Sequence, residues 1–354
     1  MSAPTPVFDL DDGDALVSAD RHGLLRSAAT GGAQVRATAA AVVEGALDRL
    51  AGLRPRSVVF VSGAGRAGRA AALVGALLAD RTSFPLVRVS RTPAWVGPLD
   101  VVVVAGDDAG DPILAESVDR AVRRGAEVVL AAPDEGPLRA AAAGRVAMLE
   151  PRVQALPRHT LLRFVAAYLA VLSAMDSARW DASVPPLDRI ADVADTEALH
   201  DRPTSEVFHN PAKSLATRLL GRRLVFTGAT EATVELAGHA AESVLFAGHV
   251  AVSAALSTVL QAAPALAPAA GAVDSLFHDP EFDGPPGTEP VRTLVLTPVA
   301  EQPVTARRTA VLADAELLVA DGDDTGEMTD FEQIAMMACR LDMVAAYLQL
   351  TGGR

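Results

Sequence analysis

Lysine is almost absent from this 354-residue chain: Lys213 stands alone among 31 basic side chains, the rest being arginine. A bias of that kind reflects a GC-rich genome and carries no functional reading. Cysteine is equally scarce. Cys339 is the single example, which excludes an internal disulfide framework and a thiolate-rich metal site; within an apolar helical run it reads as a small buried side chain. Aromatics make up 4% of the chain, so Ala, Val and Leu must fill the cores. Positive charge is in deficit, with a net charge of −13, which argues against a nucleic-acid partner because such proteins present a basic face to phosphates. The opening stretch, Met1 to Asp14, is acidic and has neither the basic nor the apolar region of a signal peptide. Of the longest apolar runs, Leu161–Met175 is too short to span a bilayer and contains Arg163, and Val250–Val273 is broken by Pro264 and Pro268, so neither reads as a membrane helix. The expectation is a cytoplasmic protein with no membrane partner.

What is present is apolar: half of the residues, ample for two cores in a chain of this length. The first half alternates strands and helices. Strands are predicted at Ser57–Ser62, Leu86–Ser90, Asp100–Ala105, Glu127–Ala131 and Val146–Leu149. Helices are predicted at Asp20–Leu50, Ala67–Asp80, Pro112–Arg124 and Arg158–Ser177. The run Asp100-Val-Val-Val-Val-Ala105 suits a strand covered on both faces, and the alternation predicts a parallel sheet between helical layers. Asp181–Pro203, punctuated by Pro185, Pro186 and Pro203, reads as a connector. The second half repeats the theme: helix at Asn210–Leu220, strand at Leu224–Thr227, mostly helix over Thr230–Leu260, loop over Ala262–Gly287, strands at Thr293–Thr297 and Glu316–Ala320, and a closing helix at Asp330–Leu350. The division expected is a first domain over 1–180, a connector over 181–205 and a second domain over 206–354.

Chemistry concentrates after the first strand. Ser62-Gly63-Ala64-Gly65-Arg66-Ala67-Gly68 leaves a strand and opens a helix, so its backbone amides, aided by the helix dipole, suit an anion. The spacing of Gly63, Gly65 and Gly68 also matches the dinucleotide fingerprint. That reading wants an acid at the end of the next strand, where Arg88-Val89-Ser90-Arg91 stands instead; arginines there leave an NADP reading open. Tight packing of strand on helix explains the glycines equally well. No cofactor is expected, and the seven histidines lack the spacing of a metal site. Asp9, Asp11, Asp12 and Asp14 lack a calcium-loop pattern, and Asp321-Gly322-Asp323-Asp324 reads as a solvated turn.

Several segments, in order along the chain, resemble the bifunctional phosphoglucose/phosphomannose isomerases built from sugar-isomerase (SIS) domains, an actinobacterial subgroup in particular. They are Asp20-Arg-His-Gly-Leu-Leu25 with Gln34, Ser62-Gly-Ala-Gly65, Leu156-Pro-Arg158, Asn210-Pro-Ala-Lys-Ser-Leu-Ala216, and Leu341-Asp-Met-Val-Ala-Ala-Tyr-Leu348. The resemblance implies two tandem SIS-type αβα sandwiches with parallel sheets, a homodimer, and a phosphorylated-hexose site between domains and subunits; Ser62, Gly63, Ala64 and Gly65 answer to its first loop, Gly106, Asp107 and Asp108 stand where its phosphate loop would be, and Arg66 is an added cation that could contact an anion. It implies metal-free interconversion of glucose 6-phosphate or mannose 6-phosphate with fructose 6-phosphate. A carboxylate would move the proton, a histidine would open the ring and an arginine would steady the enediolate; the positions that answer to these are Glu242, His278 and Arg158. The chain departs from the pattern in two places. Ala105-Gly-Asp-Asp-Ala-Gly-Asp111 replaces a hydroxyl-rich phosphate loop, and no glutamate stands at the family's position near Leu245–His249, Glu242 lying about a turn away. A carboxylate ~4 Å from a phosphate costs about 4 kcal/mol at a surface-like dielectric, against ~1 kcal/mol for each hydrogen bond. Either the carboxylates turn away, or a cation intervenes, or the usual ligand is not bound there; a solvated turn with Asp111 as N-cap is the plain alternative. Two functions lead at this point, an isomerase with a degenerate site and a non-catalytic sugar-phosphate-binding or regulatory SIS protein, with an NADP-binding protein far behind them.

Overall fold

The computed structural model describes residues 9–78, 80–175, 184–267, 290–321 and 328–352. In chain order the regular elements are α1 (Gly13–Ala19), α2 (Leu24–Ala28), α3 (Gly31–Val43), β1 (Ser57–Ser62), α4 (Arg66–Leu78), β2 (Leu86–Val89), β3 (Asp100–Ala105), α5 (Pro112–Arg123), β4 (Glu127–Ala131), α6 (Gly136–Ala142), β5 (Ala147–Met148) and α7 (Leu161–Met175). They continue with α8 (Leu187–His200), α9 (Pro211–Leu219), β6 (Arg223–Gly228), α10 (Glu231–Phe246), β7 (Ala251–Ala255), α11 (Leu256–Leu266), β8 (Val291–Leu296), α12 (Gln302–Thr309), β9 (Ala315–Leu318) and α13 (Asp330–Thr351).

The strands form two sheets, ordered β2-β1-β3-β4-β5 and β7-β6-β8-β9, and every pairing is parallel. Each sheet lies between helices, so the tandem αβα architecture read from the sequence is the one observed. Side chains alternate along β1. Val58 and Phe60 enter a large core that runs between the two sheets through α4, α7, α10 and α13. Val59 and Val61 enter a smaller one under α5 and α6. Valine serves both faces because neither meets water.

The last helix is the hub. α13 is capped by a reciprocal pair, Thr329 Oγ1 accepting from the Glu332 amide at 3.4 Å and Glu332 Oε2 from the Thr329 amide at 2.7 Å, the capping-box device. Its 22 residues are apolar enough to cross a membrane, yet 83% of its most apolar window is buried within the protein. Residues 181–205, read as a connector, carry α8 in their middle. This helix packs on α3 and α13: a methyl at Gly32 would lie 2.6 Å from the Ala191 carbonyl oxygen, and the buried Arg340 donates to Glu197. Lys213, at the start of α9, is fully buried. Its ammonium donates to the carbonyls of Pro203 at 2.6 Å and Ser205 at 2.7 Å and sits 5.6 Å from the centre of the Tyr347 ring.

Several sequence readings are corrected, among them the loop expected from Ala262, where α11 continues to Leu266. Thr230–Leu260 is interrupted by the edge strand β7, and α6 and α12 were not anticipated. The expected single helix over Asp20–Leu50 is broken after α2 and ends in a short 3-10 turn.

Candidate functional site

The order β2-β1-β3-β4-β5 reverses direction between β1 and β3, and such a reversal opens a crevice at the carboxyl ends of the strands where open α/β sheets bind ligands. The loops that meet there are Gly63–Gly65 and Gly106–Asp111. Packing requires two of the glycines: a Cβ at Gly63 would lie 3.0 Å, and one at Gly106 2.6 Å, from Leu114 Cδ1. Gly65 is different. Its φ of +94° is a conformation side chains resist, and it turns the chain into α4.

The Gly63 amide donates to the Ala105 carbonyl at 3.0 Å. Among the described residues no acceptor meets the amides of Ala64, Gly65 or Arg66, and Ala64 and Gly65 are exposed. Tyr168, buried in α7, fixes the frame. Its hydroxyl lies 3.4 Å from Ser62 Oγ and donates to the Ala67 carbonyl at 3.1 Å. A cleft of about 660 Å³ runs from Ser62, Gly63 and Gly68 to Leu86–Ser90, with Arg88 in its wall. The corresponding loop of the second half is shut. Thr230 and Thr233 cap each other's amides, and a methyl at Gly228 would lie 2.2 Å from the backbone of Thr233 and Val234. Open amides at a switch point therefore occur in the first half, where the sequence pointed.

Each carboxylate of the acidic loop has its own partner. Asp111 caps α5, its Oδ1 accepting from the amides of Ile113 at 2.8 Å and Leu114 at 3.3 Å. The exposed Asp108 accepts from the Gly110 amide at 2.8 Å. Asp107 is turned inward, where it pairs with Arg163 and accepts from Thr160 Oγ1 at 3.1 Å. Burial pushes the Asp107 carboxyl above its usual pKa, more than Arg163 and Thr160 draw it down. Arg163 meets Asp107 at Oδ1 and is not the intervening cation considered from the sequence, while Asp107 Oδ2 lies 3.6 Å from where a Cβ of Gly65 would stand.

Arg66 does not face the cleft. It is 2% exposed and donates to the Arg158 carbonyl at 3.0 Å, to Ser243 Oγ at 3.1 Å and to Glu242. One α-helical turn later, Arg69 grips the same carboxylate and also Glu235, at 3.0 Å. Arg69 lies flat on α10 over Gly238, where a methyl would come within 2.1 Å of its guanidinium. Glu242 thus bridges two arginines from the other half of the chain. Burial works to raise its pKa, but Arg69 and Arg66 outweigh it and hold the group below the usual carboxylate value. Arg158 stacks on Phe246 at 5.1 Å and donates to Gln349 Oε1 at 3.1 Å. His278 lies outside the described residues.

Behind these groups is a buried polar layer that the sequence reading did not single out. His239 Nε2 is 3.0 Å from Asp342 Oδ1, though poorly aligned for a hydrogen bond. Ser243 Oγ donates to the same oxygen at 3.3 Å. His159 Nδ1 meets Ser27 Oγ at 2.9 Å, and its carbonyl accepts from Gln34 at 2.9 Å. Burial brings the His159 pKa down to about 4 and lowers that of His239 as well, because enclosure disfavours the charged ring. For the Glu242 clamp the available signal is the spacing of Arg66 and Arg69, three residues apart and so on one face of a helix.

Neither a protein-family model nor a curated protein matches the chain by sequence. Solved structures do match along nearly its whole length. Tagatose-6-phosphate ketose/aldose isomerase from Escherichia coli aligns at a TM-score of 0.57 and 15% identity, over 99% of this chain and 97% of that one. A Bacillus subtilis protein assigned as a phosphosugar isomerase aligns at 0.59 and 14%, over 91% and 94%. The C-terminal domain of glucosamine-fructose-6-phosphate aminotransferase from Francisella tularensis aligns at 0.58 and 10%, over 94% and 97%. The fold is the tandem SIS arrangement. At these identities the likeness is one of architecture.

Proposed function

We propose that the protein binds a phosphorylated hexose at the Ser62–Arg66 loop and does not isomerise it. The loop supports the first half of this reading: three unmet amides stand at the switch point of a sheet whose fold is shared with proteins named for phosphosugar chemistry. One observation carries the second half. Both oxygens of Glu242 are engaged by Arg66 and Arg69, and a general base must be free to take a proton. The reading includes a cytoplasmic homodimer, which sedimentation velocity tests for the purified protein and fractionation tests for the cell.

Isomerisation is the second reading. Arg158, the arginine that the resemblance offers for an enediolate, favours it; its guanidinium lies over Phe246 and donates to Gln349. A coupled assay with fructose 6-phosphate separates the two. The binder gives no turnover, and ligand at a hundredfold over Kd stabilises it by about 2.7 kcal/mol; Gly65→Val, which strains the turn and crowds the amides, abolishes that stabilisation. Turnover that disappears in Arg158→Ala would establish the enzyme instead.

A further inference from the structure

The loop presents a charge problem. Its one arginine, Arg66, is spent on Glu242, Ser243 and the Arg158 carbonyl, so the loop itself offers only amide dipoles to an anion, with Arg88 in the far wall of the cleft. Across from them stands Asp107, its Oδ2 3.6 Å from the Cβ position of Gly65. Arg163 meets the other oxygen, Oδ1. Asp111 approaches from the same side: its Oδ2 is 3.3 Å from the Cβ position of Gly63 while Oδ1 caps α5. Asp108 adds an exposed charge. The groups facing Asp107 are therefore Arg163 and Thr160 at and before α7, Arg66 on α4 at longer range, Asp108 and Asp111 on its own loop, and the Gly65 backbone. A phosphomonoester dianion brought here would meet a carboxylate at near-contact range, and two acidic groups so placed share a proton rather than both ionise.

We propose that Asp107 sets the charge state of the bound ligand, the phosphate entering the Ser62–Arg66 loop together with one proton taken from solvent and held between Asp107 and the phosphate oxygen. This rests on the reading of the loop as a phosphosugar site and deepens it. Protonated, Asp107 becomes a donor to the phosphate, while Arg163 and Thr160 keep the side chain in place. Burial, which already favours the neutral acid at Asp107, works in the same direction. The site then prefers a singly charged phosphate, and binding strengthens as pH falls.

The test is isothermal titration of the full chain at pH 6 and pH 8, in buffers of differing ionisation heat, with fructose 6-phosphate and with inorganic sulfate. Sulfate has no proton to take up near neutrality, so any uptake seen with it belongs to the protein. Wild type should take up about one proton per ligand at pH 8. Asp107→Asn should bind fructose 6-phosphate at least about tenfold more tightly at pH 8, an effect of the order of one like-charge contact removed, with uptake abolished. Because Asp107→Asn leaves Arg163 unpaired, the double variant Asp107→Asn/Arg163→Gln serves beside it and should also bind without proton uptake. Unchanged affinity and uptake in both variants, or loss of binding in both while wild type binds, would refute the role of Asp107 and leave the site standing. No binding by any of the three proteins at either pH would remove the site itself, and this inference with it.

Discussion

Replacing Glu242 by Gln tests the interdomain clamp. The substitution keeps the shape of the side chain and removes the charge that Arg66 and Arg69 share. Arg66 is 3% exposed and Glu242 44%. Breaking a fully buried pair by neutralising one partner costs 3–5 kcal/mol, whereas an exposed pair is worth under about 1 kcal/mol. With the cation buried and the acid half in water, the expected loss is about 1–2 kcal/mol, because Arg66 keeps Ser243 and the Arg158 carbonyl. Glu235→Gln is the control: it touches Arg69 alone and should cost about 0.5 kcal/mol or less. Urea unfolding followed by circular dichroism at pH 7.5 reads both. The pH dependence adds a second check. The Glu242 pKa is lowered on folding from 4.5, so its contribution is fully present above that value and is lost as pH falls through the depressed folded value. The gap between wild type and Glu242→Gln should be flat near neutrality and close only in acid. A Glu242→Gln protein as stable as wild type, or one no worse than Glu235→Gln, would refute the clamp.

Burial lowers the His159 pKa from 6.5 to about 4. Its contribution is complete above pH 6.5 and drains away toward pH 4, about 3 kcal/mol at 1.36 kcal/mol per pKa unit; stability measured across that window should fall, and His159→Gln should flatten the slope. Gly228→Ala drives a methyl into the Thr233–Val234 backbone, which has no flexible end to yield. A loss above about 3 kcal/mol, seen as failure to fold or a much lowered Tm, is expected, and a near-neutral result would contradict the close approach. Asp111→Ala removes the α5 cap and should cost about 1 kcal/mol in the same melt.

The parts of the fold that were legible are those where one physical demand dominates. Asp100–Ala105 is a doubly covered strand and its sequence is almost pure valine, so the span was found to the residue. β7 was missed because Ala251-Val-Ser-Ala-Ala255 is an exposed edge, and alanine there follows helical propensity rather than burial. α8 was hidden by Pro185 and Pro186, read as breakers although Pro186 sits at the N-cap, just ahead of the first helical residue Leu187, where its missing N–H costs the helix no bond. At the site, local chemistry was readable: the glycine loop with its open amides, and Asp111 as a cap. The pairings that give the site its character were not. Glu242 and Arg69 are 173 residues apart and Asp107 and Arg163 are 56 apart, and such residues look like surface charges until the fold brings them together. His159, next to the more conspicuous Arg158, gave no separate signal in the sequence.

The burial of Lys213 has a practical corollary. The chain's single side-chain amine is fully enclosed and held by two carbonyls, so an acylating reagent has nothing to attack on any lysine while α9 stays docked. Each acylation at residue 213 then records one opening of the second half, and the yield against time counts those openings directly, in native buffer and without an introduced probe.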